Sequence, residues 1–267
     1  MRAVWAGFFV LGFIGVPSLA APQAIDLAPH RAVYSMVLAS ARPGSGIAGA
    51  SGVMTYEFGD ACDGWTVENK TVLNFAYNEG ANAATVWDFS TWEAKDGLRY
   101  RFRVRNVRDG QTTEEIDGEA NLKGKGQAGA AKFTLPQPMT KDLPKGTLFP
   151  TEHTVQLIQA AQDGKPILLR PVFDGTGMES PFSVNAVIGR PATADEPGEV
   201  DSPLTRIPSW HMDMAFFPVG SQEASPDYEV GLRYLANGVA RNIIQNFGNF
   251  SLKGKLERIE PLAKPDC

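Results

Sequence analysis

The chain has 267 residues and few of the side chains that most often do chemistry: two cysteines and three histidines. His30, His153 and His211 lie far apart, and none stands at ligand spacing from a cysteine or from another histidine. A tetrahedral metal centre is therefore not indicated. No Walker loop, GxSxG elbow, HExxH pair or calcium-loop signature occurs. Gly44-Ser45-Gly46-Ile47-Ala48-Gly49 fits GxGxxG, but Gly52 to Phe58 after it reads as a strand and no βαβ unit follows, so it reads as a loop. There is no basic excess: 25 Lys and Arg stand against 30 Asp and Glu, a net charge of −5, which argues against a nucleic-acid binder. No catalytic residue, metal or cofactor is implied, and the expectation is a protein that is not an enzyme.

One long apolar run is present, and it lies at the start. Arg2 precedes an uncharged stretch from Ala3 to Val16, Pro17 breaks it, and Ser18-Leu19-Ala20 has the small-x-small pattern of a cleavage site. The stretch is shorter than the roughly 20 residues that span a bilayer. Residues 1–20 therefore read as a signal peptide cut after Ala20 or Ala21. No cysteine near the cut supports a lipid anchor, and no transmembrane segment is expected in the mature chain.

Export changes how the two cysteines read. An isolated pair in an oxidising compartment usually forms a structural bridge. Cys62 sits in the turn Gly59-Asp60-Ala61-Cys62-Asp63-Gly64, and Cys267 is the last residue. A redox thiol would want a CxxC pair or a neighbouring histidine, and neither is there. A Cys62–Cys267 disulfide is expected, with the final strand latched onto the start of the sheet.

Glycine and proline recur about every ten positions, the mark of an all-β chain. Period-two strands are read at His30 to Ala39, Gly52 to Phe58, Trp65 to Phe75, Thr85 to Glu93 and Phe250 to Ile259. From Leu98 to Arg105, apolar residues alternate strictly with Arg99, Arg101, Arg103 and Arg105. Such a stripe suggests an anionic ligand, but Thr112 to Ala120 returns as a strand. A three-residue loop (Asp109, Gly110, Gln111) sets Arg105 against Glu115, Arg103 against Asp117, Arg101 against Glu119 and Val104 against Ile116, so the stripe reads as an internally neutralised solvent face. At Asn237-Gly238 a two-residue turn pairs Leu235 with Ala240, Leu232 with Ile243 and Tyr228 with Phe247. Arg190 to Pro203 reads as a long mobile loop.

One helix is expected near 151–163, with Thr151 as N-cap, Val155, Ile158 and Ala161 or Gln162 at helical spacing, and Asp163-Gly164 at its end. His153 at its start could serve as a base with Asp174 or Glu152. Without a placed nucleophile it reads as a surface or capping histidine. Glu114 and Glu115 are strand neighbours that point to opposite faces, so they cannot form an acid/base pair.

Ordered short motifs run along nearly all of the mature chain. They include His30-Arg31-Ala32-Val33-Tyr34, Tyr56-Glu57-Phe58 leading to Cys62-Asp63-Gly64-Trp65, Trp92-Glu93, and Asp96-Gly97-Leu98-Arg99-Tyr100-Arg101-Phe102. Leu143 to Pro150 with His153, Val172-Phe173-Asp174-Gly175, Pro226-Asp227-Tyr228-Glu229 and the terminal Cys267 follow. In these the chain resembles the EipB family of periplasmic cell-envelope integrity proteins. The resemblance implies a mainly β fold: a strongly curved antiparallel sheet forming a β-spiral or open barrel around an apolar interior, with one inserted helix, as a single domain over 21–267. It also implies a disulfide at Cys62 and Cys267 and a role in keeping the envelope intact under stress. Export, a β-rich scaffold and the lack of a catalytic constellation lead to the expectation of a non-enzymatic periplasmic protein that supports the envelope by binding a protein partner or an envelope component. A carrier of a lipid or acyl chain inside the sheet is the alternative, and a hydrolase using His153 or His211 stands third.

Overall fold

The computed structural model describes residues 24–192 and 200–267, so the signal peptide expected at 1–20 and the expected cut after Ala20 or Ala21 lie outside the described residues. Fourteen strands and one helix follow in chain order: β1 His30–Ala41, β2 Ile47–Asp60, β3 Gly64–Tyr77, β4 Ala83–Ala94, β5 Arg99–Arg108, β6 Gln111–Leu122, β7 Gly129–Leu135, β8 Met139–Leu143, α1 Pro150–Gln162, β9 Ile167–Val172, β10 Phe182–Ala192, β11 Ser209–Pro218, β12 Tyr228–Leu235, β13 Ala240–Asn246 and β14 Phe250–Pro261. All the strands join one antiparallel sheet in the order β8-β7-β6-β5-β4-β3-β2-β1-β14-β13-β12-β11-β10-β9. The sheet does not close: β8 and β9 are its two edges. Gly44-Ser45-Gly46 of the GxGxxG run form the β1–β2 connection, while Ile47-Ala48-Gly49, expected as loop, already belong to β2.

The sheet must curl because one of its faces is apolar along its whole length. Ala32, Tyr34 and Met36 of β1, Val184, Ala186 and Ile188 of β10, and Met212 and Met214 of β11 are buried at every second position. They form one core with Leu157, Ile158, Ala160 and Ala161 of α1. A second cluster joins Tyr100, Phe102, Phe133 and Leu143 of β5–β8 to Phe149 and Phe173. Phe173 follows edge strand β9, yet its ring lies 5.3 Å from Phe102. Leu148 bridges Val172 in parallel. At the other edge, Lys141 of β8 donates to the carbonyls of Met178 and Ser180. The two ends of the sheet thus meet through aromatic rings and loops rather than through a ladder. The close approach leaves no room at Gly175, where a Cβ would sit 2.5 Å from the Phe102 ring.

The β5–β6 hairpin has the expected pairs Val104↔Ile116, Arg105↔Glu115 and Arg103↔Asp117, by a different device. Asp109 and Gly110, both at positive φ, make a two-residue turn, and Thr113 is an extra residue that shifts the register between Asn106 and Val107. Arg103 bonds Asp117 at 2.9 Å and Arg105 bonds Glu115 at 3.3 Å. Arg101 stands opposite Glu119, but its guanidinium lies 4.8 Å over the Trp92 ring.

The β12–β13 hairpin differs near its tip. Leu235 N donates to Val239 O, so the loop has three residues and Tyr234, not Leu235, pairs with Ala240. Asn242, at φ 54°, then restores the expected register at Gly231↔Ile244. The expected Tyr228–Phe247 pair is replaced: Tyr228 stacks on Phe216 at 4.2 Å and Phe247 packs on Phe250. Arg190 to Ala192 complete β10 rather than a loop, and residues 193–199 lie outside the described residues.

Cys62 and Cys267 form a disulfide with a Cα separation of 5.8 Å. Its role is narrower than a latch for the last strand, because β14 already pairs with β1 from His30↔Pro261 onward. The bridge ties the six residues after β14 to the β2–β3 turn, which Asp60 stiffens by accepting the Cys62 N–H at 2.9 Å and pairing with Lys95 at 2.7 Å. Closing a 205-residue loop stabilises the fold by at most about 5 kcal/mol through the unfolded chain. Replacing both cysteines by serine is expected to lower Tm while leaving the far-ultraviolet spectrum unchanged. An unchanged Tm would remove the structural role of the bridge.

A candidate ligand cavity and the buried groups around it

The curl forms a partly open cavity of about 230 Å³ between the inner face of β2–β5, the start of α1 and the β12–β13 hairpin. Period-two alternation decides what lines it. Tyr56↔Asn69↔Phe89 form one inward row across β2, β3 and β4, with Phe58↔Val67↔Thr91 beside it. Trp87 follows two residues from Phe89 on β4, and the two rings lie near-parallel at 5.3 Å. Pro150, Thr151, Thr154, Tyr234 and Gln245 form the opposite wall. Among the described residues, no Asp, Glu, Lys, Arg or His lines this cavity.

Glu93 holds the helix wall in place. It lies on β4 between Trp65 and Tyr100 and is only 2% exposed. Its two carboxylate oxygens accept the N–H groups of Thr151 at 2.7 Å and Glu152 at 2.9 Å. The expected Thr151 cap is therefore corrected: α1 starts one residue earlier, at Pro150, Phe149 occupies the N-cap position without a side-chain bond, and a carboxylate from a distant strand does the capping. Burial pushes the Glu93 carboxyl up to about 7, while its two backbone bonds pull the other way. The far end of α1 is as expected, with Asp163 as C-cap and Gly164 at φ +70°.

His153 is not a surface histidine. It is buried within α1, its Nε2 has no partner among the described residues, and burial with the nearby Arg170 charge pushes its pKa down to about 4. His30 is also buried and lowered by burial; its Nδ1 donates to the Ala28 carbonyl at 2.7 Å. His211 stands on the exposed face of β11, 3.2 Å from Asp213. The two carboxylates that could have paired with His153 are engaged elsewhere: Asp174 accepts the Tyr228 hydroxyl at 3.0 Å, and Glu152 accepts Gln156 Nε2. The structure brings none of these groups together as a base and nucleophile. No group of His, Cys, Asp and Glu suited to a metal ion occurs among the described residues. No helix among them is long and apolar enough to cross a membrane.

A larger concavity of about 410 Å³ lies on the outer face, where Arg31, Lys70, Asp88 and Arg105 stand. Arg31 pairs with Glu57 at 2.6 Å and Lys70 with Asp88 at 3.6 Å. These charges satisfy one another, so this face presents no concentrated field to an ion.

A family described as EipB-like has a model that matches residues 21–263. The cell envelope integrity protein EipB of Brucella abortus (strain 2308) is 32% identical over 257 residues, which cover 95% of this chain and 90% of that protein. The crystal structure of a beta-barrel-like protein of domain of unknown function DUF1849 from Brucella abortus superposes with a TM-score of 0.82 at 31% identity, covering 90% of this chain and 100% of that one.

Glu93 and His153 titrate across the same window with opposite signs. The His153 contribution is full above the unfolded value of 6.5 and is lost as pH falls toward 4, by roughly 3 kcal/mol. The folded state holds the Glu93 proton up to about pH 7, so stability from this group falls as pH rises from 4.5 to 7. Relative to wild type, His153→Phe should gain stability on moving from pH 7 to pH 5, and Glu93→Gln should lose it. Denaturant titrations at both pH values check this; parallel shifts in the two variants would contradict the assignment. Glu93→Ala, which strands two backbone donors, should cost about 2–4 kcal/mol at neutral pH.

Proposed function

Because the chain belongs to the EipB-like family, we propose that it is a periplasmic cell-envelope integrity protein that acts without catalysis, by holding an envelope component in the cavity inside its curved sheet. The observation that carries this reading is the cavity itself. It is concave, aromatic-walled, studded with a few neutral polar groups and backed by a helix fixed at its N-terminus by Glu93. Binding sites for small groups have this character. Export follows from the basic, apolar and small-residue pattern of residues 1–20, and the Cys62–Cys267 bridge suits an oxidising compartment. Residues 21–267 act as one unit in this reading, since one sheet runs from β1 to β14 and both of its ends share the Phe149–Phe173 cluster.

Carriage of a lipid or acyl chain in the same cavity is the second reading, favoured by the aromatic walls. It predicts that the bound component leaves the neutral polar groups unused. A hydrolase would need a base at the cavity, and the histidines stand elsewhere.

The test is complementation. A strain lacking the gene should become sensitive to detergent or envelope-directed antibiotics, and the wild-type gene should restore resistance. Val67→Trp, which fills the cavity, should fail to restore it while keeping its Tm within a few degrees. Arg103→Ala on the outer face should restore it fully. A folded Val67→Trp variant that complements like wild type would overturn the cavity as the working site.

A further inference from the structure

We infer that the interior cavity takes a neutral sugar ring of an envelope glycan, seated against Trp87 and Phe89. This rests on the reading of the cavity as the working site and adds the chemistry of what it holds.

Charge narrows the ligand first. With no ionisable Asp, Glu, Lys, Arg or His in the lining, a phosphate or carboxylate entering the cavity would be desolvated without a counter-charge. That removes phosphorylated headgroups and the ionised end of a fatty acid. Hydrogen bonding narrows it further. Tyr56, Asn69, Trp87 and Gln245 all line the cavity, and the Tyr56 hydroxyl, the Asn69 amide N–H, the Gln245 amide and the Trp87 indole N–H have no hydrogen-bond partner among the described residues. Asn69 spends its carbonyl oxygen on Thr71, which leaves its N–H donors available. A hydrocarbon chain would cover these groups and leave them unpaired. A hydroxyl both donates and accepts, so it can satisfy a phenol, an indole N–H and an amide alike.

The apolar part of the wall selects a shape. Trp87 and Phe89 are half-buried and near-parallel, so they offer ring surface rather than a tunnel. A pyranose has two C–H faces that pack on aromatic rings and an equatorial rim of hydroxyls that reaches side-chain amides. The cavity volume of about 230 Å³ lies below the roughly 300–1,000 Å³ of sites for drug-sized ligands, which suits one ring and not a long chain. Apolar faces, uncharged rim and compact size meet in one class of envelope molecule, the neutral saccharide.

The experiment is equilibrium binding to the mature protein, read by tryptophan fluorescence and calorimetry, with three probes. The disaccharide of N-acetylglucosamine represents the peptidoglycan backbone, maltose represents a neutral hexose glycan, and decanoate represents an acyl chain. Binding of either sugar is expected, unchanged between low and high salt. Trp87→Ala and Gln245→Ala should each weaken it about tenfold, and Trp87→Phe should retain most of it. Which of the two sugars binds more tightly tells the glycan sources apart. Decanoate binding without sugar binding overturns the saccharide while leaving the cavity as the working site, provided Val67→Trp still fails to complement. If no probe binds at millimolar concentration the saccharide is overturned, and if Val67→Trp also complements, the cavity reading falls with it.

Discussion

A single carboxylate joins the two halves of this molecule. Glu93 comes from the fifth strand across the sheet and α1 packs on β9 and β10, yet the Glu93 oxygens close the first turn of α1. An α-helix leaves its first four N–H groups without intrahelical partners, and at a buried end water cannot take them. Here Phe149 at the N-cap is fully buried and offers no side-chain acceptor. A distant acid must therefore reach in, and its desolvation raises its pKa to about 7. The same contact fixes Pro150, Thr151 and Thr154, which form one wall of the cavity. The cap thus sets the shape of the binding space as well as the helix.

The second constraint is the open sheet. An antiparallel sheet of fourteen strands with one apolar face has two edges to protect. Closing into a barrel would remove both, but this sheet instead rolls until its ends overlap. The overlap is sealed by rings: Tyr100, Phe102, Phe133, Phe149 and Phe173 form a chain of stacked and edge contacts between 5.0 and 6.5 Å. Among the described residues, only the Leu148–Val172 bridge adds backbone pairing there. Because rings rather than a ladder hold the seam, the interior is not forced to the radius of a closed barrel, and a cavity can persist beside a filled core.

Local features of this arrangement are legible in the sequence and remote ones are not. Strict alternation in β5, the Asp109-Gly110 turn and the charge partners on β6 define the hairpin register within one short stretch of chain. Pro150 and Asp163-Gly164 place the helix to within a residue. Strands β7 to β9 are short and alternate less clearly, and they are not predicted from the sequence; β10 and β11 do alternate (Phe182-Ser183-Val184-Asn185 and Trp210-His211-Met212-Asp213) but are not predicted either. The two bulges at Thr113 and Asn242 are invisible as well, since an extra residue has no compositional mark. Glu93 as a cap is a contact across 58 residues, which no window of sequence contains. For the same reason His153, near the polar start of a helix, reads as exposed although it is buried in the folded chain. The cavity lining follows from alternation once the strand order is known: Tyr56, Asn69, Phe89 and Trp87 share a face because their strands are neighbours in register.

Those bulges matter for function. In β5 the residues alternate Arg99, Tyr100, Arg101, Phe102, Arg103, Val104, Arg105, so a slip of one position would turn four guanidinium groups toward the interior. The turn at Asp109-Gly110 alone would impose that slip against β6, setting Arg103 against Ile116 rather than Asp117. The extra residue at Thr113 removes it and restores Arg103↔Asp117 and Arg105↔Glu115 on the outside. Asn242 does the same for β13, keeping Ile243 inward beside Leu232 and bringing Gln245 to the cavity wall. Two inserted residues thus keep the guanidinium groups of β5 outside and the apolar side of β13 inside. The neutrality of the cavity follows from that register, and a neutral, hydrogen-bonding interior is what excludes ionic headgroups while leaving room for an uncharged ring.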